Sequence, residues 1–259
     1  MPALDGCLDD CRTSTTMHYK IASTLKERAS AFRLVYESYL HVGACRPNAH
    51  RMRVTPYQLL PTTDILIAQC HGETIFTMSL VSDGRLGLPM EAVYHDEVET
   101  RRQRGLALGE VACLADRRRD LRGFLPIFLG LSRLLAQCVA HRGLDGVLMN
   151  ARPRHSSFYK KVLAFVQIAE ERPYPGACNH LGVALSLSLE RARCRGTRVC
   201  DILFGQLLPD AQLKPHPMPD CEKDFFRSMI DPVFLSAPPA GLACFGENPE
   251  GTLVGAETD

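Results

Sequence analysis

Gly105-Leu-Ala-Leu-Gly-Glu-Val-Ala-Cys-Leu-Ala-Asp116, running into Arg117-Arg-Arg-Asp-Leu-Arg-Gly123, decides how this chain is read. Alternate residues of a strand share a face, so Leu106, Leu108, Glu110, Ala112 and Leu114 are expected on one side. Glu110 is then the one charge among aliphatic side chains. A buried carboxylate is costly unless a partner compensates it or its pKa rises. The alternative is a structural ion pair with Arg101, Arg102 or Arg104. After the strand come a basic loop ended by Gly123 and a helix. In the helix Phe124, Ile127, Phe128, Leu131, Leu134, Leu135 and Cys138 recur at three- and four-residue steps. Strand, basic loop and helix N-terminus together suit an anion, because the first helical N–H groups lack partners and the dipole is positive there.

Outward from this unit the pattern is mixed. His18–Ala22 reads as a short strand. A helix follows from an N-cap at Ser23 or Thr24 to Gly43. The connection from Ala44 to Pro61 is long, polar and proline-marked, which suits a lid or substrate loop. Asp64–His71 and Thr74–Val81 flank Gly72-Glu73 as a β-hairpin. Val93–Gln103 is charged and predicts a short exposed helix. Leu144–Asn150 predicts a strand and Pro153 begins a short helix with Phe158 and Tyr159. Phe165–Ala169 and Val183–Leu189 predict two further strands, and Asp224–Phe234 one amphipathic helix. This order points to α/β with a mostly antiparallel, centrally splayed sheet flanked by helices. Residues 1–16 read as a loose lead-in, 17–190 as the domain, and 191–259 as an extension, helical in part and flexible in its Gly/Pro-rich tail.

The 259 residues carry a formal net charge of +1, against a dedicated nucleic-acid binder. The eleven cysteines show no zinc-ligand spacing and no secretory leader is read, so neither a metal nor a disulfide framework is expected. No apolar run is read as reaching the ~18–20 residues of a membrane span. The expected address is the cytoplasm, with peripheral membrane contact left open.

Phe158-Tyr-Lys-Lys-Val-Leu-Ala-Phe165 and the strand–basic loop–helix unit resemble the GNAT acyltransferase superfamily. Within it the chain resembles the FeeM-like N-acyl amino acid synthases, through Phe32–Tyr39, Thr77–Asp83, Leu86-Gly-Leu-Pro-Met90, Glu110–Ala115 and Arg154–Tyr159. The resemblance covers Tyr19 to Glu190. It implies a GNAT fold and direct transfer of a long fatty acyl group from acyl carrier protein to the α-amine of an amino acid. The donor is then a phosphopantetheine thioester, a substrate, and no resident cofactor is expected. Two departures stand out: the glycines of the usual phosphate loop are reduced to Gly123, and Ala164 replaces a common glycine.

Aminolysis of a thioester needs a neutral amine, an oxyanion donor and an acid for the leaving thiolate. Under the resemblance Glu110 is the base or positioning group. Tyr159 is the acid, unless it merely packs. His155 is a second base, unless it caps its helix. A strand splayed at Ala112 and Cys113 offers a backbone N–H to the thioester oxygen, and Cys113 is not expected as a nucleophile. Arg117, Arg118, Arg119, Arg122 and Gly123 are candidates for the pantetheine phosphate or an acidic carrier surface. Arg152 and Arg154 are candidates for the substrate carboxylate. One rival is an autoinducer synthase taking S-adenosylmethionine, against which Val35 counts where such enzymes tend to carry Arg. The other is a non-catalytic module that binds carrier protein or lipid.

Overall fold

The structure, a computed structural model, describes residues 17–117 and 121–236. The lead-in 1–16, the tail from 237, and Arg118 and Arg119 of the basic loop lie outside the described residues. The chain runs β1 (His18–Ile21), α1 (Leu25–His41), a 3₁₀ turn (Pro56–Leu59), β2 (Thr63–Cys70), β3 (Glu73–Ser82) and α2 (Glu91–Gln103). It continues with β4 (Leu108–Asp116), α3 (Leu121–His141), β5 (Gly146–Ala151), α4 (Pro153–Leu163), β6 (Val166–Gln167), β7 (Arg172–Tyr174) and β8 (His180–Ser188). Five short helices follow: α5 (Leu189–Ala192), α6 (Arg198–Phe204), α7 (Asp210–Leu213), α8 (Asp220–Arg227) and α9 (Val233–Ser236).

Local chemistry sets the first elements. Thr24 caps α1 through a capping box, its hydroxyl accepting from Glu27 N while Glu27 accepts from the Thr24 backbone. The hairpin turn is His71-Gly72, both at positive φ (50° and 79°), the two-residue geometry that matches strand twist. The sheet has eight strands in the order β1-β2-β3-β4-β5-β8-β6, with β7 on β8. Among the named strands only β4 and β5 pair in parallel, and the other pairings are antiparallel.

One face of the sheet packs on α3, where Phe128, Leu131, Leu134 and Cys138 meet Leu66, Met78, Leu80, Val147 and Leu185. Close approach requires Gly130: a Cβ there would overlap the ring of Tyr19 on β1. The opposite face packs on α1, through Phe32 with Ile65 and Ile67, and on α2, through Tyr94 and Val98. The extension returns over both faces: Leu203 and Leu213 join the α3 side, while Phe226 packs edge-on against Phe32 at 4.9 Å.

Several expectations are corrected. Alternation along β4 fails at Cys113, whose φ of +53° is left-handed, and the register jumps from Ser79↔Ala112 to Thr77↔Ala115. This β-bulge sends Leu114 to the α3 face, away from Glu110, and brings Cys113 and Ala115 to Leu34 and Val35 of α1. Helix α3 starts at Leu121, so Gly123 sits in its first turn and does not end the loop. Its stretch Gly123–His141 is, contrary to the sequence reading, long and apolar enough to span a membrane; here 56% of it is buried as core. Strand β6 keeps two residues and β7 was not foreseen. The predicted 224–234 helix is α8 and α9, broken at Asp231-Pro232. Phe226, not Phe225, faces inward. Helix α2 is not wholly exposed, since Tyr94 and Val98 are buried.

Candidate active site

The parallel register of β4 and β5 ends at Glu110↔Leu148, while β5 continues on β8 as far as Ala151. The central strands therefore part immediately after Glu110. The wedge between them opens into a cavity of about 660 Å³, within the range of ~300–1,000 Å³ usual for ligand sites. Its walls include Val111–Arg117, Met149–Arg152, Tyr159, and residues of α1 and of the long connection.

Glu110 is 2% exposed and lines this cavity. Its Oε2 accepts from Met90 N at 2.7 Å, and no cation pairs with it among the described residues. Burial pushes its pKa up to about 8, partly offset by the Met90 bond and reinforced by the nearby charge of Glu91. The structural alternative fails, because Arg102 is saturated elsewhere. Its guanidinium reaches Asp83 (Nε to Oδ2 2.6 Å) and Glu91 (Nη1 to Oε2 2.8 Å), and Arg101 donates to the Glu97 carbonyl. Glu91 in turn accepts from Leu88 N, and Gly87 (φ +66°) allows the approach, since a Cβ there would lie 2.5 Å from Glu91 Oε1. Leu86–Met90 is thus a clamped loop that presents one backbone N–H to Glu110.

The bulge leaves Cys113 and Leu114 between paired positions on the β3 side, next to the point where β4 leaves β5. A non-glycine residue in the left-handed region costs on the order of 1–3 kcal/mol, and such residues cluster at functional sites. The Cys113 thiol is driven up to about 11 by burial, an inert thiol at neutral pH.

Tyr159 is buried and lines the same cavity, packed by Phe128, Phe158 and Phe165. Burial raises its pKa to about 12, which keeps it a protonated donor. Helix α4 ends at Ala164 in the left-handed region (φ +58°), a position that glycine relaxes, and this accounts for the usual glycine there. His155 does not cap the helix. It stands exposed at the cavity mouth, accepts from Arg154 Nε at 3.1 Å, and burial followed by the neighbouring arginines lowers its pKa.

The arginines sort by depth. Arg117 bonds Glu73 at 3.0 Å on the exposed end of the hairpin, and the side chain of Arg122 is outside the described residues. Arg152 reaches His180 Nδ1 at 3.1 Å, and Arg154 is exposed. The buried cation of the cavity is Arg53, 3% exposed, which the sequence reading missed. Tyr57, Tyr174 and Phe234 were missed as well. Tyr174 donates to the Pro89 carbonyl at 3.3 Å, in the loop that serves Glu110. The one usable signal was the length of the 44–61 connection, which carries Arg53 and Tyr57. Among the described residues no three His, Cys, Asp or Glu side chains gather to hold a metal.

Comparison with known proteins follows this geometry. The family described as N-acyl amino acid synthase FeeM matches residues 30–188. The structure of FeeM, an N-acyl amino acid synthase from uncultured soil microbes, aligns with a TM-score of 0.62 at 21% identity, over 69% of this chain and 93% of that one. The acyl-homoserine-lactone synthase LasI aligns at 0.53 and 12% identity, over 75% and 97%. At these identities the two structures show the fold alone. No curated protein matches the chain.

Proposed function

The chain belongs to the FeeM family of N-acyl amino acid synthases and is an acyltransferase of the GNAT fold, and on that footing we propose that it carries a long-chain fatty acyl group from an acyl carrier protein thioester to the α-amine of an amino acid. The observation that carries the reading is Glu110: a carboxylate without a cation, buried at the apex of the strand splay, with its pKa near 8.

A group of that pKa accepts a proton at neutral pH while remaining a useful base. The carboxylate takes a proton from the incoming ammonium, directly or through water. The freed amine attacks the thioester carbonyl carbon, and in this reading a backbone N–H of the segment 112–114 meets the developing oxyanion. Collapse breaks the C–S bond, and the thiolate takes the proton of the Tyr159 hydroxyl. The amide nitrogen's surplus proton passes through solvent to restore that hydroxyl, and Glu110 gives up its own proton to solvent. The transfer is direct, because a thiol with a pKa near 11 does not compete as nucleophile.

Leu114, Phe124, Met149 and Ala151 give one flank of the cavity an apolar lining suited to the acyl chain. Arg117, Arg152 and Arg154 stand at its rim, where an acidic carrier protein or the single pantetheine phosphate is the matching partner. Arg118, Arg119 and Arg122 extend that patch in sequence, as does Gly123 at the start of α3.

The test is to incubate purified protein with a long-chain acyl carrier protein, or the matching coenzyme A thioester, and the twenty amino acids, reading products by mass spectrometry. An N-acyl amino acid that depends on the carrier thioester is the expected result. No N-acyl product overturns the reading, and product only with S-adenosylmethionine replaces it with lactone synthesis.

A further inference from the structure

Arg53 is the least finished polar group of the cavity. Its Nη1 bonds Asp231 Oδ2 at 2.6 Å and its Nη2 bonds the Gly176 carbonyl. Its Nε–H is buried and has no hydrogen-bond partner among the described residues. An unmade bond from a buried charged donor is expensive, so the vacancy calls for an acceptor. The guanidinium is covered by two rings, Tyr39 at 5.0 Å and Phe234 at 5.5 Å from Cζ. Asp231 and Phe234 lie past residue 188, where the family match ends. They are held at the cavity by a parallel bridge between Val54 and Ile230 and by Asp231 N donating to the Val54 carbonyl at 2.9 Å.

We infer that Arg53 receives the carboxylate of the amino-acid acceptor through its Nε–H, and that the segment 230–234 of the extension completes this acceptor subsite. The assignment rests on the function proposed above. Nε is the one guanidinium nitrogen with no partner among the described residues, so the site offers a single directed contact that suits one carboxylate oxygen, and not the several donors that a phosphate takes. Arg53 and Glu110 line the same cavity, so the carboxylate and the ammonium of one α-amino acid address them within a single chamber. Phe234 sits on a short helix beside Leu235, itself 63% exposed, and walls the guanidinium on that side. Arg152 and Arg154, first candidates for this role by sequence, stay at the rim. Asp231 acts here as a positioning residue.

The test compares, on the unaltered protein, the best amino-acid acceptor with its decarboxylated amine and its primary amide. We expect kcat/KM to fall roughly ten- to hundredfold for both analogues, the scale of one charge-assisted bond. Arg53→Gln should erase that preference while the KM for the acyl donor holds. Asp231→Asn should weaken the preference and Asp231→Glu restore it. Equal rates for acid, amide and amine on the unaltered protein overturn the assignment, whether or not Arg53→Gln folds, and so does a preference that survives in a folded Arg53→Gln. Absence of acylation on every acceptor instead overturns the underlying function.

Discussion

Two charged clusters flank the Leu86–Met90 loop and are built to opposite ends. On one side Asp83, Glu91 and Arg102 satisfy one another: the guanidinium forks onto both carboxylates, and Glu91 also takes the Leu88 N–H. On the other side, among the described residues, Glu110 has one backbone donor and no cation, and Arg53 Nε has no partner. A fully paired network fixes geometry and resists change, whereas an incomplete one stores chemical potential for a ligand. The clamped cluster holds the loop still, and the loop presents Met90 N to the unclamped one.

The largest effect that breaks this contrast is expected from Glu110→Gln. The amide keeps the shape and the contact with Met90 but cannot take a proton, so the acyl-transfer rate should drop about 10²–10⁴-fold, the usual contribution of a general base. Steady-state kinetics read the loss, and a thermal melt at pH 8 should show the variant at least as stable as the parent. The sign follows from linkage. A carboxyl whose folded pKa lies above its unfolded value favours folding below the unfolded value, near 4.5, and that advantage is lost as pH climbs to about 8. The parent should therefore lose stability relative to the variant between those two values.

Activity runs the other way. Below about pH 8 the parent's kcat/KM should rise roughly tenfold per pH unit and then level, as the base form of Glu110 fills. The residual rate of Glu110→Gln should lack that limb; an unchanged profile would assign the limb to another group.

A smaller response is expected when the clamped cluster is opened. Arg102→Ala removes charge-assisted bonds to two carboxylates, but its side chain is 26% exposed, so water compensates in part. Denaturant unfolding should report a loss of about 1.5–3 kcal/mol, and the rate should change roughly tenfold or less through the loosened loop. A loss matching Glu110→Gln would erase the distinction between the clusters. The smallest effect belongs to Cys113→Ala, which should stay within roughly threefold of the parent, about 0.6 kcal/mol of barrier. Loss of turnover there would revive a covalent route.

The sheet was legible because its signals are local. The alternation of Val183–Leu189, the cap at Ser23 or Thr24 and the turn at Gly72, read one residue late as Gly72-Glu73, each sit within a few residues of what they determine. Glu110 stood out for the same reason, as a charge in an apolar strand. Arg53 did not, because its burial depends on Asp231, 178 residues away, and on Gly176, and no periodicity records such contacts. The bulge at Cys113 was hidden too. Period-two patterning carries through an inserted residue without a mark, so Leu114 was placed on the wrong face. Arg152 and Arg154 were read from their position at a strand end, which says nothing about depth, and the structure places them at the rim of the cavity.

The bridge between Val54 and Ile230 also fixes a timetable. A ribosome releases every strand of the sheet before it releases Asp231, so β1 to β8 have all been made while Arg53 still lacks its counter-ion. Closing a loop of that length adds little entropy beyond a shorter one, but it delays the contact. Until residues 230–234 dock, the Arg53 side of the cavity is unwalled and cationic. The apolar flank beside α3 and β5 is drawn from earlier chain, so during synthesis that half of the chamber is made before the half that holds Arg53 is closed.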